Sequence, residues 1–166
     1  MRLIDAIALA ASAAGLAVPA AARAQDTYIY VTEHYPKFGL QLAVDHWGSC
    51  ATCNDLGTNF GPGIRYETEL PIDHVRSYAD THVFVGKKLY ADATVNIVYS
   101  FDGLRSSVTP FLGAGGTLVG GGGGAGVSFV LAGGVQLRRA ARNIPFIEAR
   151  YLTSGGRIVA ILGILF

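Results

Sequence analysis

The sequence has few charged residues and only two cysteines. Charged side chains make up 15% of its 166 residues and the formal net charge is +1. A nucleic-acid-binding protein is expected to carry a basic stripe, and no basic cluster here exceeds a few residues, so this class is set aside. Hydrophobic residues make up 51%, which is too many for a disordered chain. The 22 glycines lack the Gly-X-Y period of collagen, and the length suits one domain with its own core.

The first 24 residues are predicted to be a cleaved secretory signal peptide. They contain a basic start, an apolar stretch, a proline and a small-x-small cleavage motif, namely Arg2, Leu3 to Val18, Pro19 and Ala22-Arg23-Ala24. The apolar stretch is shorter than the roughly 20 residues that a membrane-spanning helix needs, which disfavours a permanent anchor. Removal of the peptide leaves residues 25–166 with 11 basic and 11 acidic residues, because two of 13 and one of 12 are lost.

Cys50 and Cys53, spaced C-A-T-C, are predicted to form a disulfide. Export would bring them into an oxidising compartment, where such a local pair pins a loop. Two cysteines do not close a structural zinc site, which takes four ligands. A thioredoxin-type redox pair is the alternative, but it needs a strand-to-helix junction, and no helical pattern follows Cys53.

Apolar and polar residues alternate along residues 25–166 with the period of two that is typical of β-strands. In Ala93–Phe101 every odd position is apolar and most even positions are polar. Eight segments are of roughly the 9 to 11 residues that cross a bilayer when tilted. They are 38–47, 60–67, 75–85, 93–101, 109–119, 127–138, 144–151 and 157–166. The connections fall alternately on two ends, as in an up-and-down meander: 70–73, 102–105 and 139–143 on one, and 48–57, 86–91, 120–126 and 154–156 on the other.

The composition of the polar strand faces favours a membrane barrel over a soluble one. A soluble barrel turns its apolar face inward, whereas a membrane barrel carries an apolar belt outside. The polar faces here contain many glycines, which leave room in the interior of an eight-stranded barrel but would weaken a solvent-exposed strand. The predicted fold of residues 25–166 is therefore an all-β, antiparallel, up-and-down, eight-stranded transmembrane β-barrel.

Six charged residues on the polar faces are predicted to form an ion-pair network in the lumen. Buried charges must be paired and hydrogen-bonded, since each otherwise costs several kcal/mol. Glu148 and Arg150 are two residues apart and share a face, and an Arg on the lipid side costs roughly 2 to 4 kcal/mol at the bilayer midplane. Such a network fills the lumen and blocks conduction. Its predicted members are Asp45, Arg65, Glu67, Arg138, Glu148 and Arg150.

Three features of the sequence carry a resemblance to a known family. They are the signal peptide, the segments Thr109–Gly115 and Pro145–Tyr151, and a last strand that ends in Phe166. With these features the chain resembles the small, eight-stranded outer-membrane β-barrel proteins of Gram-negative bacteria. The resemblance covers residues 25–166.

The last strand both matches this family and departs from it. In the family, a terminal aromatic residue and the alternating apolar residues before it are read by the outer-membrane assembly machinery. The residues that match this signal are Ile158, Leu162, Ile164 and Phe166. The predicted inward residues Val159, Ile161 and Leu165 are more apolar than is usual for the family, which leaves open a barrel packed partly like a soluble one.

The resemblance implies export to the bacterial outer membrane, with membrane lipid and, during biogenesis, the assembly machinery as partners. The function it favours is that of a non-enzymatic barrel with a structural or surface-contact role. One alternative is a lipid A-modifying enzyme, either an acyl hydrolase or a transferase. Another is a soluble periplasmic barrel that binds an apolar ligand. No cofactor, metal site or nucleic-acid partner is predicted.

The histidines do not define a catalytic site by their spacing. A Ser-His-acid arrangement requires hydrogen-bond contact, and a metal site requires close ligand spacing, and neither is evident from the sequence. Whether His46, His74 or His82 takes part in catalysis is left open. The run Gly120–Gly124 lacks the Lys-Ser/Thr tail and the following helix of a phosphate-binding loop, and is interpreted as a hairpin tip.

Overall fold

The computed structural model describes residues 36–46, 57–86, 89–101, 108–121, 124–137 and 143–166. Within these ranges the chain forms eight β-strands and one short 3-10 turn, at Ser154–Gly156. The strands are β1 (Lys37–His46), β2 (Thr58–Glu69), β3 (Val75–Phe84), β4 (Tyr90–Ser100), β5 (Val108–Gly121), β6 (Gly124–Leu137), β7 (Ile144–Leu152) and β8 (Arg157–Leu165). The predicted signal peptide, Cys50, Cys53 and Arg138 lie outside the described residues. No helix in the described part of the chain is long and apolar enough to cross a membrane.

The strands form a closed barrel. Each strand pairs antiparallel with its neighbours in sequence, and β1 also pairs with β8. Two backbone hydrogen bonds between Phe38 and Phe166, with N–O distances of 3.2 and 2.8 Å, extend this closing seam beyond the strand ends. The prediction of an antiparallel, up-and-down, eight-stranded barrel is confirmed. Closure pairs the backbone groups that an open sheet edge would expose, which a bilayer requires.

The hairpin of β5 and β6 is longer than the sequence analysis predicted. Residues 120–126 were expected to form a connection, but the ladder continues to the pair Gly121 and Gly124. Glycine lowers strand propensity but keeps its backbone donor and acceptor, so pairing with the opposite strand can continue. A Cβ at Gly121 would overlap the side chain of Tyr90 on β4, so glycine is the residue that fits against this neighbouring strand.

Side chains alternate between the lumen and the exterior. In β1 buried and exposed positions alternate over all ten residues, and the same alternation runs through β3 and β4. No Asp, Glu, Lys or Arg occupies an outward-facing position of the described strands. The charged residues buried in the interior are Lys37, Asp45, Arg65, Glu67, Arg76, Asp80, Asp92, Glu148, Arg150 and Arg157. The barrel is therefore apolar outside and charged inside.

Glycines on the inner face make room for large neighbours. A Cβ at Gly63 would clash with the ring of His82, and one at Gly163 would clash with the ring of Phe146. Both glycines lie directly opposite the residue they accommodate in the strand pairing. This agrees with the expectation that small residues allow the narrow lumen to be filled with side chains.

Apolar inward side chains form a packed cluster in the lumen beside the charged ones. The inward residues of β8 after Arg157 pack against inward residues of β7, including Ile144, Phe146 and Leu152. The apolar inward residues that the sequence analysis noted in the last strand, Val159, Ile161 and Leu165, are members of this packed apolar cluster. Five of the ten buried charged residues come from β2, β3 and β4, and the others come from β1, β7 and β8.

Candidate functional site: the charged lumen

The two ends of the barrel are distinguished by the strand termini and turns that lie there. We call the end where β1 begins and β8 finishes the terminal end; the 70–74 turn lies there as well. The opposite end, with the β3–β4 connection and the 153–156 turn, is the far end. The lumen charges form three clusters, which lie at the terminal end, in the middle and at the far end.

The central cluster is a ring of two guanidinium groups and two carboxylates. Arg65 Nη2 lies 3.0 Å from Asp80 Oδ2 and 2.8 Å from Glu148 Oε2. Arg150 Nε lies 2.5 Å from Glu148 Oε1, and Arg150 holds Asp80 with both terminal nitrogens, one of them at 2.9 Å. The four formal charges cancel. Since all four side chains are buried, each charge has opposite-charge partners where water is excluded.

Aromatic and amide groups complete the central cluster. The Tyr78 hydroxyl donates to Glu148 Oε1 at 2.6 Å and accepts from the Asn96 amide at 3.0 Å. The Arg65 guanidinium lies 4.0 Å from the ring centroid of Tyr78 and 4.2 Å from that of Phe146. The cluster therefore joins β2, β3, β4 and β7 through contacts across the lumen.

The terminal-end cluster is centred on Arg76. This guanidinium forms an ion pair with Glu67, donates to Gln136 Oε1 at 2.7 Å and donates to Ser100 Oγ at 2.8 Å. The Gln136 amide nitrogen in turn donates to Glu67 Oε1 at 3.2 Å. These contacts join β2, β3, β4 and β6 close to the terminal end.

The far-end cluster is centred on Arg157. Its Nε lies 2.9 Å from Asp45 Oδ2, and its Nη2 lies 3.0 Å from Asp92 Oδ2. The other oxygen of Asp92 lies 2.9 Å from His82 Nδ1, and His82 Nε2 lies 2.8 Å from the Gln41 amide nitrogen. The chain of contacts joins β1, β3, β4 and β8.

The structure divides the predicted network among these three clusters. Arg65, Glu148 and Arg150 meet in the central one, whereas Glu67 belongs to the terminal-end cluster and Asp45 to the far-end cluster. The sequence analysis did not include Arg76, Asp80, Asp92 or Arg157 among the network residues. All four lie on the polar faces of strands or at their starts, so the alternation that located Glu148 could have located them too.

The three described histidines lie apart from one another. His46 is exposed at the far end, with Nδ1 3.3 Å from Thr58 Oγ1, and His74 lies in the terminal-end turn, with its ring centroid 5.9 Å from that of Tyr99. His82 is buried in the lumen, where Asp92 and Gln41 occupy its two ring nitrogens. It therefore has no nitrogen left to activate a nucleophile. Within the described ranges, no three His, Cys, Asp or Glu side chains are arranged so that they could hold a metal ion.

The outer surface carries aromatic side chains near both ends. Phe38 packs edge-to-face against Tyr66 with centroids 5.1 Å apart, and Tyr99 lies 5.2 Å from Phe101. The exposed aromatic residues are Phe38, Tyr66, Tyr99, Phe101 and Phe166 towards the terminal end, and Phe60, Phe129 and Tyr151 towards the far end. Two such girdles around an apolar band are typical of barrels that span a bilayer.

The residues of the predicted C-terminal assembly signal face outward. Leu162 and Phe166 are 59% and 54% exposed, and Ile158 and Ile164 lie on the same face of β8. Their side chains are therefore available on the surface of the barrel, next to the closing seam.

Solved structures share this fold. The crystal structure of Neisserial surface protein A (NspA) is 20% identical, covers 78% of this chain and 94% of its own, and superimposes with a TM-score of 0.54. The N-terminal β-barrel domain of Pseudomonas aeruginosa OprF is 13% identical, with 79% and 96% covered and a TM-score of 0.51. No protein-family model and no curated protein sequence matches the chain. The chain therefore has the fold of small, eight-stranded outer-membrane β-barrels.

Proposed function

We propose that the protein is a closed, non-enzymatic β-barrel of the bacterial outer membrane with a structural or surface-contact role. The observation that carries this proposal is the inverted distribution of charge. Ten buried Asp, Glu, Lys and Arg residues lie inside the described barrel, five of each sign, and none faces outward. Water would favour the opposite arrangement, and lipid favours this one.

The outer surface supports a bilayer as the surroundings of the barrel. Leu42, Ile64, Ile97 and Leu112 are each more than half exposed in the middle of their strands. In a soluble periplasmic barrel these side chains would face water, and the charged clusters would occupy the place of an apolar ligand. The inverted faces therefore argue against the alternative of a soluble barrel that binds an apolar ligand.

The packed lumen supports a barrel that does not conduct. The central ring of Arg65, Asp80, Glu148 and Arg150 crosses the interior, and the Phe146 and Tyr78 rings pack against it. Clusters on either side repeat this filling. A solute would have to displace buried ion pairs and leave their charges without partners, which is unfavourable where water is excluded.

The alternative of a lipid A-modifying enzyme would require a reactive group that faces lipid. The buried His82 and Asp92 face the lumen, and their hydrogen bonds are taken up by Gln41 and Arg157. His46 and His74 lie at opposite ends of the barrel. No observation within the described residues favours this enzyme over the non-enzymatic barrel.

We propose that segments near the two ends of the sequence direct export and assembly. Residues 1–24 are proposed to direct export and to be removed, and the outward apolar residues of β8 are proposed to be read by the barrel assembly machinery. Outer-membrane lipid is then the permanent partner of the apolar belt. Sequencing the N-terminus of the exported protein tests the cleavage site after Ala24.

Three measurements on the exported, purified protein test the proposal. We expect it to require detergent, to migrate differently on gels with and without boiling, and to give no stable ion conductance in a planar bilayer. A protein that remains monomeric in plain buffer would overturn the membrane assignment, and a steady conductance would overturn the closed lumen. Mass spectrometry of lipid A after incubation distinguishes the enzyme alternative, because loss or transfer of an acyl chain would support it.

A further inference from the structure

The last strand has a sequence that does not by itself fix its register. After Arg157 its inward positions are Val159, Ile161, Gly163 and Leu165, and its outward positions are Ile158, Ala160, Leu162 and Ile164. In most strands a shift by one residue would move polar side chains into lipid. Here both faces are apolar, so polarity alone does not distinguish between registers of β8 against β1. Gly163, which leaves room for the Phe146 ring and for Gln41 of β1, is one steric determinant. The buried charge at the start of β8 offers a second.

Arg157 is the single charged residue of β8, and it is fully buried in the lumen. Through Nε it contacts Asp45 on β1, which is the strand that closes the barrel. Through Nη2 it contacts Asp92 on β4. One planar guanidinium thus holds two carboxylates on two strands, a geometry that a point charge such as Lys does not reproduce.

The environment of this guanidinium is itself held in place. Asp92 is fixed by His82, which is in turn fixed by Gln41 of β1, through contacts of 2.9 and 2.8 Å. The rings of Phe84 and Tyr90 lie 4.9 and 5.2 Å from the guanidinium carbon. The Arg157 guanidinium therefore lies in a site where Asp92 is linked through His82 to Gln41 on β1, the strand that also carries Asp45.

We propose that Arg157 is a register lock for closure of the barrel. In the observed register Asp45 lies opposite Val159, and the guanidinium reaches both Asp45 and Asp92. A shift of two residues moves a strand by about 7 Å along its neighbour, at roughly 3.3 Å per residue. Such a shift separates Arg157 from at least one carboxylate and leaves it buried beyond ion-pair distance. The lock thus selects one register among several that the apolar pattern allows.

Cross-linking of outward-facing cysteines on the seam measures the register directly. In a background with Cys50→Ser and Cys53→Ser, Val44→Cys is combined with one of three partners. Ala160→Cys lies opposite it in the observed register, and Ile158→Cys and Leu162→Cys lie opposite it after a two-residue shift in either direction. A short bifunctional thiol reagent links residues that lie opposite one another. Mass spectrometry of the digested barrel then identifies the linked pair.

The decisive variant removes the lock without leaving an unpaired charge. Asp45→Asn, Asp92→Asn and Arg157→Met together replace all three charges of this contact. In the protein that keeps these three charged residues, we expect nearly all cross-links to join the Val44 and Ala160 positions. In the triple variant, we expect the yield of cross-links between shifted positions to rise at least tenfold. Glu148→Gln is the matched control, because it removes a buried charge from the central cluster without changing Arg157, and it should keep the observed register.

A triple variant that folds and links only Val44 with Ala160 would overturn the proposal. If the triple variant does not fold, Arg157→Gln decides, because it keeps a polar side chain but removes the charge that a shift would leave without a partner. We expect this variant to yield shifted pairs between the levels of the unsubstituted and triple proteins. The observed register alone in Arg157→Gln would equally reject the lock.

Discussion

Replacement of Arg65 by alanine would remove one of the two guanidinium groups that join the carboxylates of the central cluster. Its guanidinium contacts Asp80 at 3.0 Å and Glu148 at 2.8 Å, and lies between the rings of Tyr78 and Phe146. In Arg65→Ala both carboxylates remain buried, with Arg150 as the cation left in the ring. The ring then has a formal charge of −1.

The cost of this change follows from the charge left behind. Removing one partner of a buried ion pair costs about 3–5 kcal/mol. Loss of the two ring contacts adds roughly 0.5–2 kcal/mol. Glu148→Ala leaves the opposite imbalance, with two guanidinium groups over Asp80, and should cost a similar amount. The double variant leaves Arg150 and Asp80 as a neutral pair, so its cost should be less than the sum of the two single costs by about 0.5–3 kcal/mol.

Urea unfolding in lipid vesicles measures the four free energies of unfolding in this cycle. Thr109→Val is the control, since Thr109 is buried in the lumen but belongs to none of the three clusters. It should change the free energy of unfolding by much less than either single variant. Additive costs for Arg65→Ala and Glu148→Ala would refute the coupling, and near-zero costs would refute the assignment of both side chains to a buried lumen.

Three further predictions concern the two faces of the barrel and the cysteine pair. Leu42→Arg places a charge in the middle of the lipid face and should lower the free energy of unfolding by roughly 2–4 kcal/mol. Thr68→Arg, near the terminal end, should lower it by only about 0–1 kcal/mol, and equal costs would contradict the bilayer position. Gly63→Leu would overlap the His82 ring and should destabilise by about 1–3 kcal/mol or more, whereas Gly120→Ala, which meets open space, should be nearly neutral in the same urea assay. Cys50 and Cys53 of the exported protein should resist thiol labelling after denaturation without reductant, and full labelling of both would argue against their disulfide.

The fold was predictable because alternation is a local property of each strand. The faces of β1 and β4 could be assigned from their own residues, since one face of each is apolar and the other mostly polar. Strand ends were less predictable where glycine interrupts the pattern. The pairing that carries β5 and β6 to Gly121 and Gly124 depends on neighbouring strands rather than on the residues themselves.

The arrangement of the lumen charges was harder to predict than their direction. Alternation shows that Glu67 and Glu148 point inward, but not at which height their side chains meet a partner. That depends on the stagger of strands around the closed barrel, which brings Arg76 to Glu67 and Arg65 to Glu148. The place of Arg157 in the far-end cluster was missed because it is the first residue of its strand and precedes a wholly apolar sequence.

The central cluster also joins strands that are far apart in the sequence, which bears on how the barrel can fold. Arg150 contacts Asp80, a residue 70 positions earlier in the chain, and Tyr78 is equally far from its partner Glu148. A sheet of only the first four strands would hold Arg65 and Asp80 without β7, and would expose an open edge to lipid. Contacts between residues so far apart in sequence close large loops, which slows folding. The first four strands alone would therefore lack both the partners of their lumen charges and the closed edge that a bilayer requires.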